Sequence, residues 1–156
     1  MEDTTMDIRP GDFDDAQVQA LLRLHVEGMH ASSPPGTCFV LDLSGLKVPE
    51  ITFLTAWEGR SIMGIGAIKD LGDKTGELKS MRTHPDHLRK GVGEEILKQL
   101  VSIAKKRGYA RVSLETGTGP DFDAALALYR RNGFVSGPAF ADYEATPHNQ
   151  FLHRDL

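Results

Sequence analysis

Apolar side chains follow two periodicities along the chain, and the switches between them predict its elements. Val18, Leu21, Leu22 and Val26 recur three to four residues apart, the period of a helix with one buried face. Asp12 or Asp14 can cap that helix, which is expected to run to about Met29. Ile96, Leu97, Leu100, Val101 and Ala104 repeat the pattern over 94–107, and Gly108 is placed to end it. A third helical run, DFDAALALYRRN, takes Asp121 as its cap and stops at Gly133. Residues 51–58, 61–71, 77–83 and 110–116 are strand-like runs bounded by turn residues. Glu58, Gly59 and Arg60 make the first two of these a hairpin, and 72–76 is a second turn. Shorter strands are expected at 6–9, stopped by Pro10 and Gly11, and at 134–136 and 150–153. A short helix is expected within 40–46, after the loop ASSPPG at 31–36. This order predicts an α/β (α+β) fold, one mixed sheet covered by helices.

Length and charge narrow the picture. A chain of 156 residues is expected to form one domain, over 1–156, with a proper core. The net charge of −4 argues against a general binder of nucleic acid or anionic membrane. No apolar run approaches the roughly 18 residues of a membrane span, and the acidic, polar start is not a signal peptide. Cys38 is the only cysteine, so no intramolecular disulfide is expected and the cytoplasm is the natural compartment. Cys38 has no activating neighbour and reads as structural.

The chemistry concentrates in HPDHLRKGVG, residues 84–93, between a strand and a helix. Gly91 and Gly93 let backbone N–H groups approach a ligand, and a helix start adds unpaired donors and a positive dipole end. A strand, a basic glycine-rich turn and a helix therefore make a seat for a diphosphate. Arg89 and Lys90 are placed to meet phosphates, whereas Glu94 and Glu95 are expected to point away. GVGEEI lacks the third glycine of a dinucleotide fingerprint, and no GK[ST] follows a glycine. His84 and His87 have no third ligand nearby, so no metal is expected. Trp57 is expected to pack in the sheet.

These residues resemble the GNAT superfamily of acyl-CoA-dependent N-acetyltransferases. That family's cofactor motif is Gln or Arg, two residues, Gly, one residue, then Gly or Ala. Gly91 and Gly93 match its glycines, with Leu88 at the Gln/Arg position and Arg89 one place later. LYRRNGF, residues 128–134, is similar to the family's helix–turn–strand ending LYxxxGF. The blocks PEITF, AWEG, SMRT, SLETG and FADY are also similar to the bacterial YsnE-type subgroup. The resemblance implies a single mixed, mostly antiparallel sheet of six to seven strands, flanked by about four helices, with splayed central strands.

The resemblance also implies acetyl-CoA as co-substrate, gripped through the main chain of Arg89, Lys90, Gly91, Val92 and Gly93. The pantetheine arm would lie between the strands at 77–83 and 110–116, bonded much as an added strand. An N–H at a bulge within Met81, Arg82 and Thr83 would stabilise the acetyl oxygen. An amine must lose a proton before it attacks, since an alkyl ammonium has a pKa of about 10. Glu77 is the expected base, with Glu50 and Glu115 as rivals, and Tyr129 is the acid for the leaving thiolate. Asp142, Tyr143 and His25 are expected to border the acceptor pocket.

The function so implied is transfer of acetyl from acetyl-CoA to a primary amine of a small molecule, in a ternary complex. The partners expected are that amine and, by analogy alone, a second copy in a homodimer, with no nucleic acid and no membrane. Two other readings remain open at this point: a non-catalytic acyl-CoA-binding regulator, and an enzyme acetylating protein or peptide amines.

Overall fold

The computed structural model describes residues 6–31 and 43–156. Among these, seven strands form one sheet: β1 (Asp7–Pro10), β2 (Ile51–Glu58), β3 (Ser61–Gly72), β4 (Thr75–Thr83), β5 (Arg111–Gly117), β6 (Val135–Gly137) and β7 (Asn149–Asp155). Their spatial order is β1-β2-β3-β4-β5-β7-β6. Every neighbouring pair is antiparallel except β4 and β5, so the sheet is the mixed, mostly antiparallel one expected. Four α-helices accompany it: α1 (Ala16–Ala31), the single turn α2 (Leu43–Leu46), α3 (Val92–Lys106) and α4 (Asp123–Arg131).

Each sheet face buries its own cluster. Val18, Leu21 and Leu22 of α1 and Leu46 of α2 pack on Phe53, Trp57, Ile62, Ile65 and Ala67. On the other face Val92, Ile96, Leu97, Leu100 and Val101 of α3 meet Met63, Ile68, Leu78, Val112, Leu114 and Leu152. The apolar stripes that predict the helices are these buried faces. Gln17 clips α1 to the hairpin, donating to the Arg60 carbonyl (2.7 Å) and accepting from the Ile62 N–H (3.1 Å).

The caps differ from expectation. Asp15, not Asp12 or Asp14, caps α1: its Oδ1 accepts from the N–H groups of Gln17 (2.8 Å) and Val18 (3.2 Å). Asp12 accepts from the Asp14 N–H in the turn just before. Asp121 falls inside a 3-10 turn (Pro120–Phe122), and α4 starts after Phe122 with no side-chain cap. The expected loop at 31–36 lies, but for Ala31, outside the described residues, as does Cys38.

Two departures from regular pairing make the site. β4 and β5 pair only from Thr75↔Arg111 to Glu77↔Ser113, although β4 continues to Thr83 and β5 to Gly117. The central strands therefore splay, as the family resemblance implies. Between β3 and β4, Ala67 faces Lys79 and Ile65 faces Arg82, so Ser80 and Met81 together oppose Gly66. That is a β-bulge, with Ser80 held at φ 57°. The extra residue reverses the side-chain alternation. Before it, Glu77 and Lys79 share the α1 face and Leu78 joins the α3 cluster. After it, Arg82 reaches α1, whereas Met81 packs against the α3 cluster and Thr83 lies near Gly93.

Gly66 is packed between α3 and this bulge. A Cβ there would sit 2.5 Å from Ile96 Cγ2 and 2.6 Å from Met81 Sδ. Gly66→Ala is expected to destabilise the fold by about 1–3 kcal/mol, the usual cost of overpacking. Thermal unfolding should show a melting point several degrees lower, at roughly 2–4 °C per kcal/mol for a chain of this size.

Candidate active site

A cavity of about 750 Å³ occupies the opening between β4 and β5. Residues of both sheet faces line it, so it connects the α3–α4 side with the α1 side.

On the α3–α4 side lie Gly91, Val92 and Gly93, with Met81 and Thr83 of β4 and Leu128 and Tyr129 of α4. Gly91 is the N-cap of α3, at φ 78°, and no side chain caps the helix. The first-turn N–H groups therefore keep their capacity for an anion. Arg89 lines the cavity as well. Lys90 does not: its Nζ lies 3.1 Å from His87 Nδ1, so the expected Arg89–Lys90 pair is split. His84 caps the 3-10 turn Pro85–His87, its Nδ1 accepting from the Asp86 N–H at 3.0 Å. Both histidines thus serve the loop's own geometry. Among the described residues no group of three or more His, Cys, Asp or Glu side chains could hold a metal.

Glu94 does not turn away from the cleft as expected; it borders the cavity. Asn132 Nδ2 (3.0 Å) and Arg131 Nε (3.4 Å) bond its Oε2. The Asn132 hydrogen bond above all, and then Arg131, hold the carboxyl below its usual range. Tyr129 is buried edge-on to Phe134, and burial pushes its hydroxyl up to about 12. It therefore remains protonated, and able to donate, throughout the neutral range.

The α1 side is charged. Lys79 Nζ lies 2.9 Å from Glu77 Oε2 and donates to Tyr143 Oη at 2.9 Å. Tyr143 in turn donates to Glu77 Oε2 at 2.5 Å. Burial, and then the Glu77 charge, raise the Tyr143 hydroxyl far above its ordinary value, so it stays a donor. Glu115 lines the same space. Burial pushes its carboxyl up to about 7, opposed by a hydrogen bond from Asn149 and the charge of Lys79, and aided by the charge of Glu77.

Arg82 and His25 complete this side. Arg82 Nε donates to His25 Nδ1 at 3.1 Å, and Nη2 donates to the His25 carbonyl at 3.4 Å. A ring nitrogen that accepts must be unprotonated. Burial first, then the arginine charge, take the His25 pKa down to about 4, so the ring is neutral at working pH. Arg82, expected to serve the cofactor, sends its side chain to the opposite face from the glycine loop. Asp142 is exposed and does not line the cavity, whereas Tyr143 and His25 do. Glu50, just before β2, is exposed and does not line the cavity.

Ser80 is a further residue of the site, one that the sequence does not single out. Its Oγ is buried without a hydrogen-bond partner and it lines the cavity from the bulge. The bulge meets the expected stretch 81–83 at Met81 and begins one residue earlier, and it has a signal in the facing strand: a glycine inside a strand often marks one, and Gly66 is that glycine.

Comparison with known proteins agrees with this geometry. Residues 18–134 match the model of the Acetyltransferase (GNAT) family. The uncharacterized N-acetyltransferase YedL of Escherichia coli (strain K12) is 46% identical over 149 residues, covering 96% of this chain and 94% of that protein. The uncharacterized N-acetyltransferase YsnE of Bacillus subtilis (strain 168) is 44% identical over 151 residues, covering 97% and 100%. Among solved structures, the PaiA N-acetyltransferase of Thermoplasma acidophilum, in complex with coenzyme A, has the same fold. Its TM-score is 0.75 at 16% identity, covering 97% of this chain and 99% of that one.

Proposed function

This chain belongs to the GNAT family of N-acetyltransferases, and from that premise we propose that it transfers acetyl from acetyl-CoA to the primary amine of a small molecule. The observation that carries the reading is the cavity through the splayed strands. It joins an uncapped helix start, fit for a diphosphate, to a face bearing carboxyl groups, fit for an amine. Donor and acceptor can meet there without a covalent enzyme intermediate. A ternary complex follows.

The diphosphate sits on the N–H groups around Gly91 and Gly93, with Arg89 beside it, and the pantetheine arm runs into the slot. The bulge at Ser80 and Met81 interrupts the β3–β4 ladder, and its backbone N–H groups, with the Ser80 hydroxyl, serve the thioester, where charge develops on the acetyl oxygen. The sequence-based choice of base shifts. Glu77 Oε2 is already taken up by Lys79 and Tyr143, which fixes that carboxylate in the wall of the site. Glu115 titrates near neutrality in the same space and takes the role. Glu115 removes a proton from the ammonium, and the amine nitrogen attacks the thioester carbonyl carbon. The C–N bond forms, the C–S bond breaks, the leaving thiolate takes the Tyr129 proton, and the second proton lost by the nitrogen returns to the Tyr129 oxygen through solvent, leaving a neutral amide and the CoA thiol. A single cysteine fits a reducing cytoplasm as the setting.

Acetyl-CoA consumption against an amine panel tests the activity. Tyr129→Phe is expected to lower kcat by about 10²-fold, the lower end of what a general acid contributes. An unchanged kcat in that variant would remove Tyr129 from the mechanism.

A further inference from the structure

The α1 face of the cavity carries a cation that no acidic side chain among the described residues neutralises. Lys79 is paired with Glu77, but among the described residues Arg82 forms no ion pair. Its guanidinium is half-buried and lines the cavity. Removing such a charge from water is costly unless something pairs with it. His25 is not that partner: it is neutral, and it takes up two of the five N–H donors, on Nε and Nη2. The remaining donors belong to the two terminal nitrogens, the fork that binds a carboxylate through two parallel hydrogen bonds. The seat is shaped for this side chain. Gly28 stands one helical turn after His25, and a Cβ there would come 2.7 Å from Arg82 Nη2.

We infer that Arg82, cradled by His25 and Gly28, is the seat for an acceptor carboxylate, and that the acceptor is a small amino carboxylic acid. This rests on the acetyltransferase reading above. The bulge puts the guanidinium on the face opposite Gly91 and Gly93, so it does not serve the cofactor phosphates. Glu77 and Glu115 share its face, which suits a monoanion with an ammonium end and disfavours a phosphate dianion. Arg82 follows the bulge directly, and a strand rises roughly 3.3 Å per residue. The acetylated nitrogen and the carboxylate are therefore separated by a few bonds, not by a peptide.

The test measures kcat/KM at saturating acetyl-CoA for matched acceptors: proteinogenic amino acids, their decarboxylated amines and their amides, with phosphoethanolamine as a phosphate probe. The amino acids are expected to exceed their decarboxylated partners by about tenfold or more, the loss that follows removal of a charge-assisted pair. In Arg82→Gln that ratio falls to about one, and Gly28→Ala, which intrudes on the same guanidinium, lowers it in the same direction. Equal use of amines and amino acids by the native protein overturns the inference. So does an undiminished ratio in folded Arg82→Gln, a preference for phosphoethanolamine, or a tenfold loss of CoA affinity in that variant. If no acceptor is acetylated, calorimetry of the same amino acids against CoA-loaded protein decides. Arg82-dependent binding without transfer would keep the seat and refute the acetyltransferase reading, whereas no binding would refute the seat.

Discussion

Glu115→Gln is expected to lower kcat/KM by about 10²–10⁴-fold, the range over which a positioned base accelerates proton transfer. The sign of the pH effect follows from burial. The Glu115 carboxyl is raised to about 7, so it is mostly protonated below that pH and cannot accept a proton. Activity should therefore rise with pH through about 7 and level off above it. The glutamine variant should lack that limb, because the amide has no carboxylate to form. Glu77→Gln should behave differently. It removes the Glu77 charge that raises Glu115 and leaves the half-buried Lys79 charge without its carboxylate partner, both of which favour the ionised form of Glu115. The limb should then move to lower pH. A pH–rate profile of the three proteins separates the roles. Loss of the limb in Glu77→Gln, with its retention in Glu115→Gln, would return the base to Glu77.

Gly91→Val combined with Gly93→Val is expected to weaken CoA binding by about 10²-fold or more. Each hydrogen bond to a charged group contributes about 1.5–3 kcal/mol, and two or more N–H donors lose their line to the diphosphate. Gly91 sits at φ 78°, where a β-branched residue is strained, so the helix start itself should shift. A Cβ at Gly93 would sit 3.2 Å from Leu128 Cδ2, and the branches of valine would reach further into the slot between α3 and α4. Calorimetry with CoA alone measures the effect, and circular dichroism checks that the helices persist. CoA affinity within threefold of the native protein would contradict the loop assignment.

Much of the scaffold could be read from pattern alone, because burial leaves a periodic or continuous apolar signal. The apolar stripe of α3 reflects one helix face meeting the core, and the near-continuous apolar runs at 51–58 and 61–71 reflect strands that feed the clusters on both sheet faces. The glycine loop was readable for a similar reason: its spacing is dictated by local backbone geometry, and Gly91 has the left-handed φ that such a loop needs. The side chains of the acceptor face were harder. Sequence alone groups Arg82 with its strand neighbours Met81 and Thr83, but the bulge at Ser80 and Met81 turns it to α1. A bulge depends on pairing across β3, which no run of β4 residues encodes. Lys90 and Asp142 carried plausible charges, but tertiary contacts decide such placements: His87 holds one, and the other is exposed outside the cavity. The choice between Glu77 and Glu115 turned on Lys79 and Tyr143, whose convergence brings residues 77 and 143 together from distant parts of the chain.

The fate of the acetyl group decides most directly whether this protein is an acetyltransferase. Incubation with acetyl-CoA labelled in its acetyl carbons, together with a mixture of small amines and amino acids, should place the label on an acceptor nitrogen by mass spectrometry. One free CoA thiol should appear for each amide formed. Tight binding of CoA, with no label on any nitrogen and no thiol released, would contradict it and leave a cofactor-binding protein in place of an enzyme.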